Sequence, residues 1–174
     1  MTLSNPMSPR NWSMSSVALA TTVVTTAVAA TLLMTSVASA NEGGDDACSV
    51  TISSNDQMQF DKSDLSVPAS CETVSLTLEH AGTMDKKVMG HNWVLAGTDD
   101  YEEIAKAGMQ AGLDNQYLPP DDERILAATD VIGGGESTTI EFSTDALEGR
   151  DLTFFCSFPG HYSMMKGSFT ITGS

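Results

Sequence analysis

Phe154-Phe155-Cys156-Ser157-Phe158-Pro159-Gly160-His161-Tyr162-Ser163-Met164-Met165-Lys166-Gly167 is the most informative stretch of this 174-residue sequence. Within it, Cys156, His161 and Met165 follow the spacing C-x4-H-x3-M. Pro159 and Gly160 supply a sharp turn, which brings the two ends of the loop to one point. A thiolate, an imidazole and a thioether suit copper, Cu(I) included, better than magnesium or calcium. Taking Cys156 as a plain buried thiol leaves that spacing unexplained. Taking it as a nucleophile with His161 as base finds no oxyanion-hole or third-residue signal. Met164 and Met165 compete for one position. Consecutive residues point in different directions, so only one of them reaches the metal, and spacing alone does not choose.

A second imidazole is needed, and the chain has only three histidines: His80, His91 and His161. His91 is the best candidate. It follows Gly90 and precedes the apolar run 92–96 (NWVLA), so it sits at the end of a rigid element. Gly90 has no side chain, which lets its carbonyl approach a metal closely. Two His, one Cys and a weak axial Met make up the blue-copper set.

Outward from the loop, short alternating runs dominate. Val50 and Ile52 share one face of 49–53; Val74, Leu76 and Leu78 share one of 74–78; Ile140 and Phe142 one of 138–142; Phe169 and Ile171 one of 167–172. Residues 92–96 read as a buried strand, and 151–158 are rich in aromatics. Asn55-Asp56, Pro68, Gly82, Gly133-Gly134-Gly135, Gly149 and Pro159-Gly160 punctuate these runs. Several short strands with regular turn signals indicate a β-sandwich or barrel. One stretch, 99–113 (DDYEEIAKAGMQAGL), predicts a helix with acidic residues in its first turn. Its apolar positions are Ile104, Ala107, Met109 and Leu113, and Asp99 or Asp100 would be its N-cap. Pro119 and Pro120 keep the next loop out of helix.

Residues 1–40 are of another kind. They contain no acidic residue and one basic one, Arg10; the apolar, threonine-rich run 17–37 ends in Ala38-Ser39-Ala40. That is the pattern of a secretory signal peptide. The run is also long enough for a membrane anchor, but its threonines and small-residue end favour cleavage after Ala40, with no stable membrane insertion afterwards. Residues 41–174 then form a single domain of ordinary size. The net charge of −15 argues against nucleic acid or an anionic membrane surface as partner. It suits a cationic protein partner or solubility in a saline habitat. Export to an oxidising compartment favours disulfides, and three cysteines leave one over. Cys48 and Cys71, in chemically quiet surroundings, are read as the pair, and Cys156 as the free thiol.

Residues 154–167 resemble the copper loop of the azurins, a branch of the cupredoxins. Val88-Met89-Gly90-His91-Asn92-Trp93-Val94-Leu95 resembles their other ligand segment, and Asn55-Asp56-Gln57-Met58-Gln59-Phe60 and 118–122 (LPPDD) match as well. The likeness runs in order over residues 47–173. It implies an all-β, cupredoxin-like Greek-key sandwich of eight strands with one inserted short helix. It implies one copper ion held by His91, Cys156 and His161, with Met165 axial and the Gly90 carbonyl opposite, and it supports the Cys48–Cys71 pair. It further implies that Asn92 ties the ligand segments together, with Phe158 beside the site. Met58, Met89, Met109, Phe158, Gly160 and Tyr162 would form a docking patch around His161, although Tyr162 and Ser163 depart from the small apolar residues expected there. In azurins the residue matching His80 lies near the site and is linked to pH effects; by itself His80 reads as a partly buried histidine bonded to backbone. Trp93 reads as a core aromatic.

The resemblance implies a periplasmic carrier of single electrons between redox proteins such as c-type cytochromes or reductases; a monomer is the default, and the sequence leaves the oligomeric state open. A copper storage or delivery protein would carry exposed Met- and His-rich segments. A copper enzyme would need a second centre and more histidines than this chain has.

Overall fold

The computed structural model describes residues 47–173, so the expected signal peptide and the cleavage site lie outside the described residues. The strands are β1 (Ser49–Asn55), β2 (Gln59–Phe60), β3 (Asp64–Pro68), β4 (Thr73–His80), β5 (Val94–Gly97), β6 (Ile125–Ala128), β7 (Ser137–Ser143), β8 (Leu152–Phe155) and β9 (Lys166–Thr172). Helix α1 spans Lys86–Met89 and α2 spans Tyr101–Ala111. β2 is only a two-residue return of the β1 hairpin. With it, the eight longer strands build two sheets, ordered β2-β1-β4-β7 and β3-β9-β8-β5-β6. β1 pairs with β4, and β3 with β9, in parallel; the remaining pairs are antiparallel. This is the cupredoxin sandwich.

Period-two alternation decides which side chains enter the core. In β4, Val74, Leu76, Leu78 and His80 all point inward and are buried. The first three meet Ile52, Leu65, Val67, Leu95, Phe142, Phe154 and Phe169 between the sheets. His80, the fourth, is carried by the same alternation to the end of the sandwich. Trp93 packs among Phe142, Phe154 and Phe169, with ring centroids 5.7 to 6.2 Å away. Its indole Nε1 is buried without an acceptor, a cost of about 1–3 kcal/mol that ring burial offsets.

β5 and β8 are buried on both faces. Leu95 and Phe154 face the other sheet, whereas Val94, Ala96 and Phe155 face α2. The covering face of α2 is Tyr101, Ile104, Ala105 and Gly108. Ile104 is therefore where the sequence places it, but Ala107 and Met109 are exposed. Gly108 takes their place: a Cβ there would collide with the Tyr117 carbonyl, so the helix presses directly on the following loop. Asp100 is the N-cap residue, yet its side chain makes no capping hydrogen bond. Its carboxylate instead lies 4.0 Å from Arg124, which also pairs with Glu103 at 3.0 Å and Asp122 at 2.7 Å.

Cys48 and Cys71 form a disulfide, as expected, with Cα atoms 5.5 Å apart. It staples the start of β1 to the turn between β3 and β4. The far end of β1, six residues on, lies about 20 Å away along the strand, and there the Asn55 carbonyl reaches His91. Removing the disulfide by Cys48→Ser and Cys71→Ser is expected to lower stability by roughly 3 kcal/mol, the loop-closure entropy, while metal binding stays unchanged. Denaturant titration and metal titration of the double variant check this; altered metal binding would contradict it.

Candidate metal centre

His91, Cys156 and His161 come together at one end of the sandwich. Each offers a donor atom, and these atoms lie within 4.8 Å of one another. Cys156 Sγ is 3.8 Å from His91 Nδ1 and 3.7 Å from His161 Nδ1; the two Nδ1 atoms are 3.2 Å apart. Three strands and a turn produce this. His91 exchanges backbone hydrogen bonds with Ile132, at 3.0 and 2.8 Å, just before β5. Cys156 directly follows β8. Its N–H donates to the Met165 carbonyl at 3.0 Å, closing the loop that holds His161. Gly160 makes the turn, with φ 84° and open space where a Cβ would stand, so its glycine serves conformation alone.

Gly90 is a glycine for another reason. Its φ is ordinary, −72°. A Cβ there would strike the Lys86 carbonyl and would stand 2.6 Å from Val131 Cγ1. Crowding thus requires the glycine, beyond the freedom of carbonyl approach that the sequence suggests.

The tautomer of His91 follows from its partner. Nε2 lies 2.9 Å from the Asn55 carbonyl, which only accepts, so Nε2 carries the hydrogen and Nδ1 presents a lone pair to the other two ligands. Burial pushes both His91 and His161 down to about 4. Burial likewise pushes the Cys156 thiol up to about 12, against the opposing pull of hydrogen bonds from the Asn92 and Phe158 backbone. At neutral pH both imidazoles are therefore neutral with lone pairs to offer, and Cys156 keeps its thiol proton until a cation displaces it. The point equidistant from the three atoms lies about 2.1 Å from each, close to a metal–imidazole bond of roughly 2.0–2.1 Å. The donors fit a borderline or soft metal ion, copper above all.

Asn92 and Ser157, the residues after the first two ligands, are wholly buried and cross-linked. Asn92 Nδ2 donates to Ser157 Oγ at 2.8 Å and to the Gln116 carbonyl at 3.1 Å; Ser157 N–H donates to Asn92 Oδ1 at 2.9 Å. Of the two methionines, Met165 is 0% exposed and Met164 62% exposed, so the neighbours diverge as the backbone requires. Met165 packs with Cys156, Phe158 and Val131. The Phe158 ring lies 4.7 Å from that of His161.

The residues of the expected patch differ in exposure. Met109 and Gly160 are exposed, Met58 and Met89 are half-buried, and half-buried Tyr162 packs toward α2. His80 is buried, receives a hydrogen bond from Gly82 N–H on Nδ1 and donates from Nε2 to the Met89 carbonyl. Its ring lies 4.6 Å from that of His91. Ser157, Gln116 and the Asn55 carbonyl complete the surroundings. Of these, Ser157, adjacent to the ligand Cys156, and Asn55, at the head of the segment 55–60, had positions in the sequence that could draw attention, and Gln116 had none.

The pattern of the family described as "Copper binding proteins, plastocyanin/azurin family" matches residues 46–172. The azurin of Bordetella pertussis is 52% identical over 122 residues, covering 70% of this chain and 81% of that protein. The azurin of Pseudomonas aeruginosa is 46% identical over 125 residues, covering 71% and 84%. The solved structure of azurin iso-2 from Methylomonas sp. strain J superposes with a TM-score of 0.70 at 45% identity, covering 72% of this chain and 98% of that one. With a buried His–Cys–His set in a cupredoxin sandwich and relatives this similar over the same residues, the chain belongs to the plastocyanin/azurin family of copper-binding proteins.

Proposed function

We propose that this chain is a periplasmic blue-copper protein that carries single electrons between redox proteins. The convergence of His91 Nδ1, His161 Nδ1 and Cys156 Sγ carries the proposal. His91, Cys156 and His161 would hold a copper ion, which would supply the one-electron Cu(II)/Cu(I) chemistry. The chain's own residues do the rest. Thiolate and imidazoles hold both oxidation states. Met165, buried against Cys156, and the Gly90 carbonyl would complete the groups that hold the ion. Asn92 and Ser157 keep the ligand segments together, and Phe158 shields the site from water.

Burial supports the direction of electron entry. His91 and Cys156 are 0% exposed, whereas His161 is 4% exposed and is the ligand that touches the surface. Around it we place the docking face, comprising Met58, Met89, Met109 and Gly160, with Tyr162 at its α2 edge. The partners belong to the class of c-type cytochromes and periplasmic reductases. Residues 1–40 are assigned as a cleaved signal peptide and residues 41–174 as the mature, monomeric domain.

Adding Cu(II) to the 41–174 protein is expected to produce an intense blue band that bleaches with ascorbate and returns on reoxidation. Because the bound sulfur is a thiolate, binding at neutral pH is expected to release about one proton per ion. Cys156→Ser should abolish the band. Bound copper without a blue band in the wild type would count against the carrier and in favour of storage or delivery.

Stability of the metal-free protein is expected to depend on pH on both sides. His91 and His161 are held below their ordinary 6.5, so the neutral rings' contribution is present above 6.5 and is lost as pH falls toward about 4. Cys156 is held above its ordinary 9.0, so its contribution is present below 9.0 and is lost as pH rises toward about 12. Denaturant midpoints should therefore be highest between these limits, and His161→Gln should blunt the acid limb. An acid limb unchanged in that variant would refute the assignment.

A further inference from the structure

Left-handed backbone at a residue other than glycine is uncommon and persists where its surroundings over-determine it. Gln116 and Tyr117 are consecutive in that region, with φ 57° and 53°. They lie in the turn after α2, outside every ligand segment of the sequence. Gln116 bonds outward through both its main chain and its side chain. Its carbonyl accepts from Asn92 Nδ2 at 3.1 Å and from Ser157 Oγ at 3.3 Å. Its side-chain Oε1 accepts from Val131 N–H at 2.6 Å.

These contacts reach three separate parts of the metal end. Asn92 follows the ligand His91, and Ser157 follows the ligand Cys156. Val131 walls off the space beside Gly90, and the next residue, Ile132, is the backbone partner of His91. The turn is itself braced. Gly108 of α2 abuts the Tyr117 carbonyl, and the Tyr117 ring lies 5.0 Å from Phe158, which covers His161. A right-handed residue at 116 could not aim its carbonyl at the Asn92–Ser157 pair and its side chain at Val131 from the same turn.

We propose that Gln116 is a positioning residue for electron transfer. It locks the Asn92–Ser157 cross-link and the Val131–Gly90 wall in one arrangement, and through them sets the ligand geometry. The inference rests on the blue-copper reading above, but part of its test needs no copper.

Gln116→Gly keeps the left-handed backbone at no steric cost and removes the side chain with the acceptor that Val131 N–H uses. Gln116→Glu keeps an acceptor at the same reach. Two readouts are used: amide hydrogen exchange of Val131 and Ser157 in the metal-free protein, and the blue band and reduction potential of the copper form. In the glycine variant both amides should exchange about tenfold faster, the equivalent of one net hydrogen bond. The band and the potential should shift, and the glutamate variant should restore all of these toward wild type. Ser157 N–H bonds Asn92 and does not touch the Gln116 side chain, so its exchange reports transmission. Faster exchange at Val131 alone, with Ser157, band and potential unchanged, would reduce Gln116 to a turn residue and overturn the proposal. A wild-type protein that binds copper without a blue band would instead refute the blue-copper reading, and the metal-free exchange data would still decide whether Gln116 holds the cross-link.

Discussion

The side-chain amide of Asn92 joins the two ligand segments, and the metal end depends on it. His91, just before β5, and Cys156, just after β8, are 65 residues apart in sequence, and the Asn92–Ser157 hydrogen bonds connect the positions next to them. Both residues are wholly buried, with donors and acceptors satisfied. In a low-dielectric interior such a network is stiff when complete and costly when broken. Sheet pairing supplies the second restraint, because Val94 is in register with Phe155 in the same direction that carries His91 and Cys156 to one end. The donor atoms are therefore close together through the polypeptide's own bonds. A site so held changes little when its metal changes oxidation state, which is what fast single-electron transfer requires.

Electrostatics and packing work together here. Burial favours neutral imidazoles, which is the form that binds metal, and the Asn55 carbonyl selects the His91 tautomer whose free nitrogen points inward. The same burial opposes ionisation of Cys156, so the thiolate forms when a cation arrives to balance it. The net charge of −15 lies elsewhere, on solvated carboxylates, and bears on solubility and encounter with partners more than on the centre itself.

Much of this was readable in the sequence because the responsible features are local. The C-x4-H-x3-M spacing carries its own chemistry, and alternation in 74–78 and 138–142 predicts strands that the structure extends by a residue or more at each end. What alternation could not show is where a strand ends relative to its neighbours, so only the resemblance, and not the strand pattern, pointed to His80 lying near the site. β3, with an aspartate and a proline at its ends, and β6, a run of four apolar residues, lack a strand signature. The single turn of α1 is too short for any helical period. In α2 the helix was evident but its contact face was not, because Gly108 presses on the next loop by lacking a side chain. Gln116 was silent for a related reason: its carbonyl makes two of its three bonds to the metal end, and every residue type has a carbonyl.

The central claim is that the fold sets the ligand positions before metal binds and keeps them in both oxidation states. Crystal structures of the metal-free, Cu(I) and Cu(II) forms test it most directly. The account predicts that the separations of 3.2, 3.7 and 3.8 Å among His91 Nδ1, His161 Nδ1 and Cys156 Sγ change by no more than a few tenths of an ångström across the three forms. It also predicts that the Asn92–Ser157 hydrogen bonds persist throughout. A metal-free structure in which His161 or the 156–165 loop swings away, or a ligand that leaves on reduction, would contradict it.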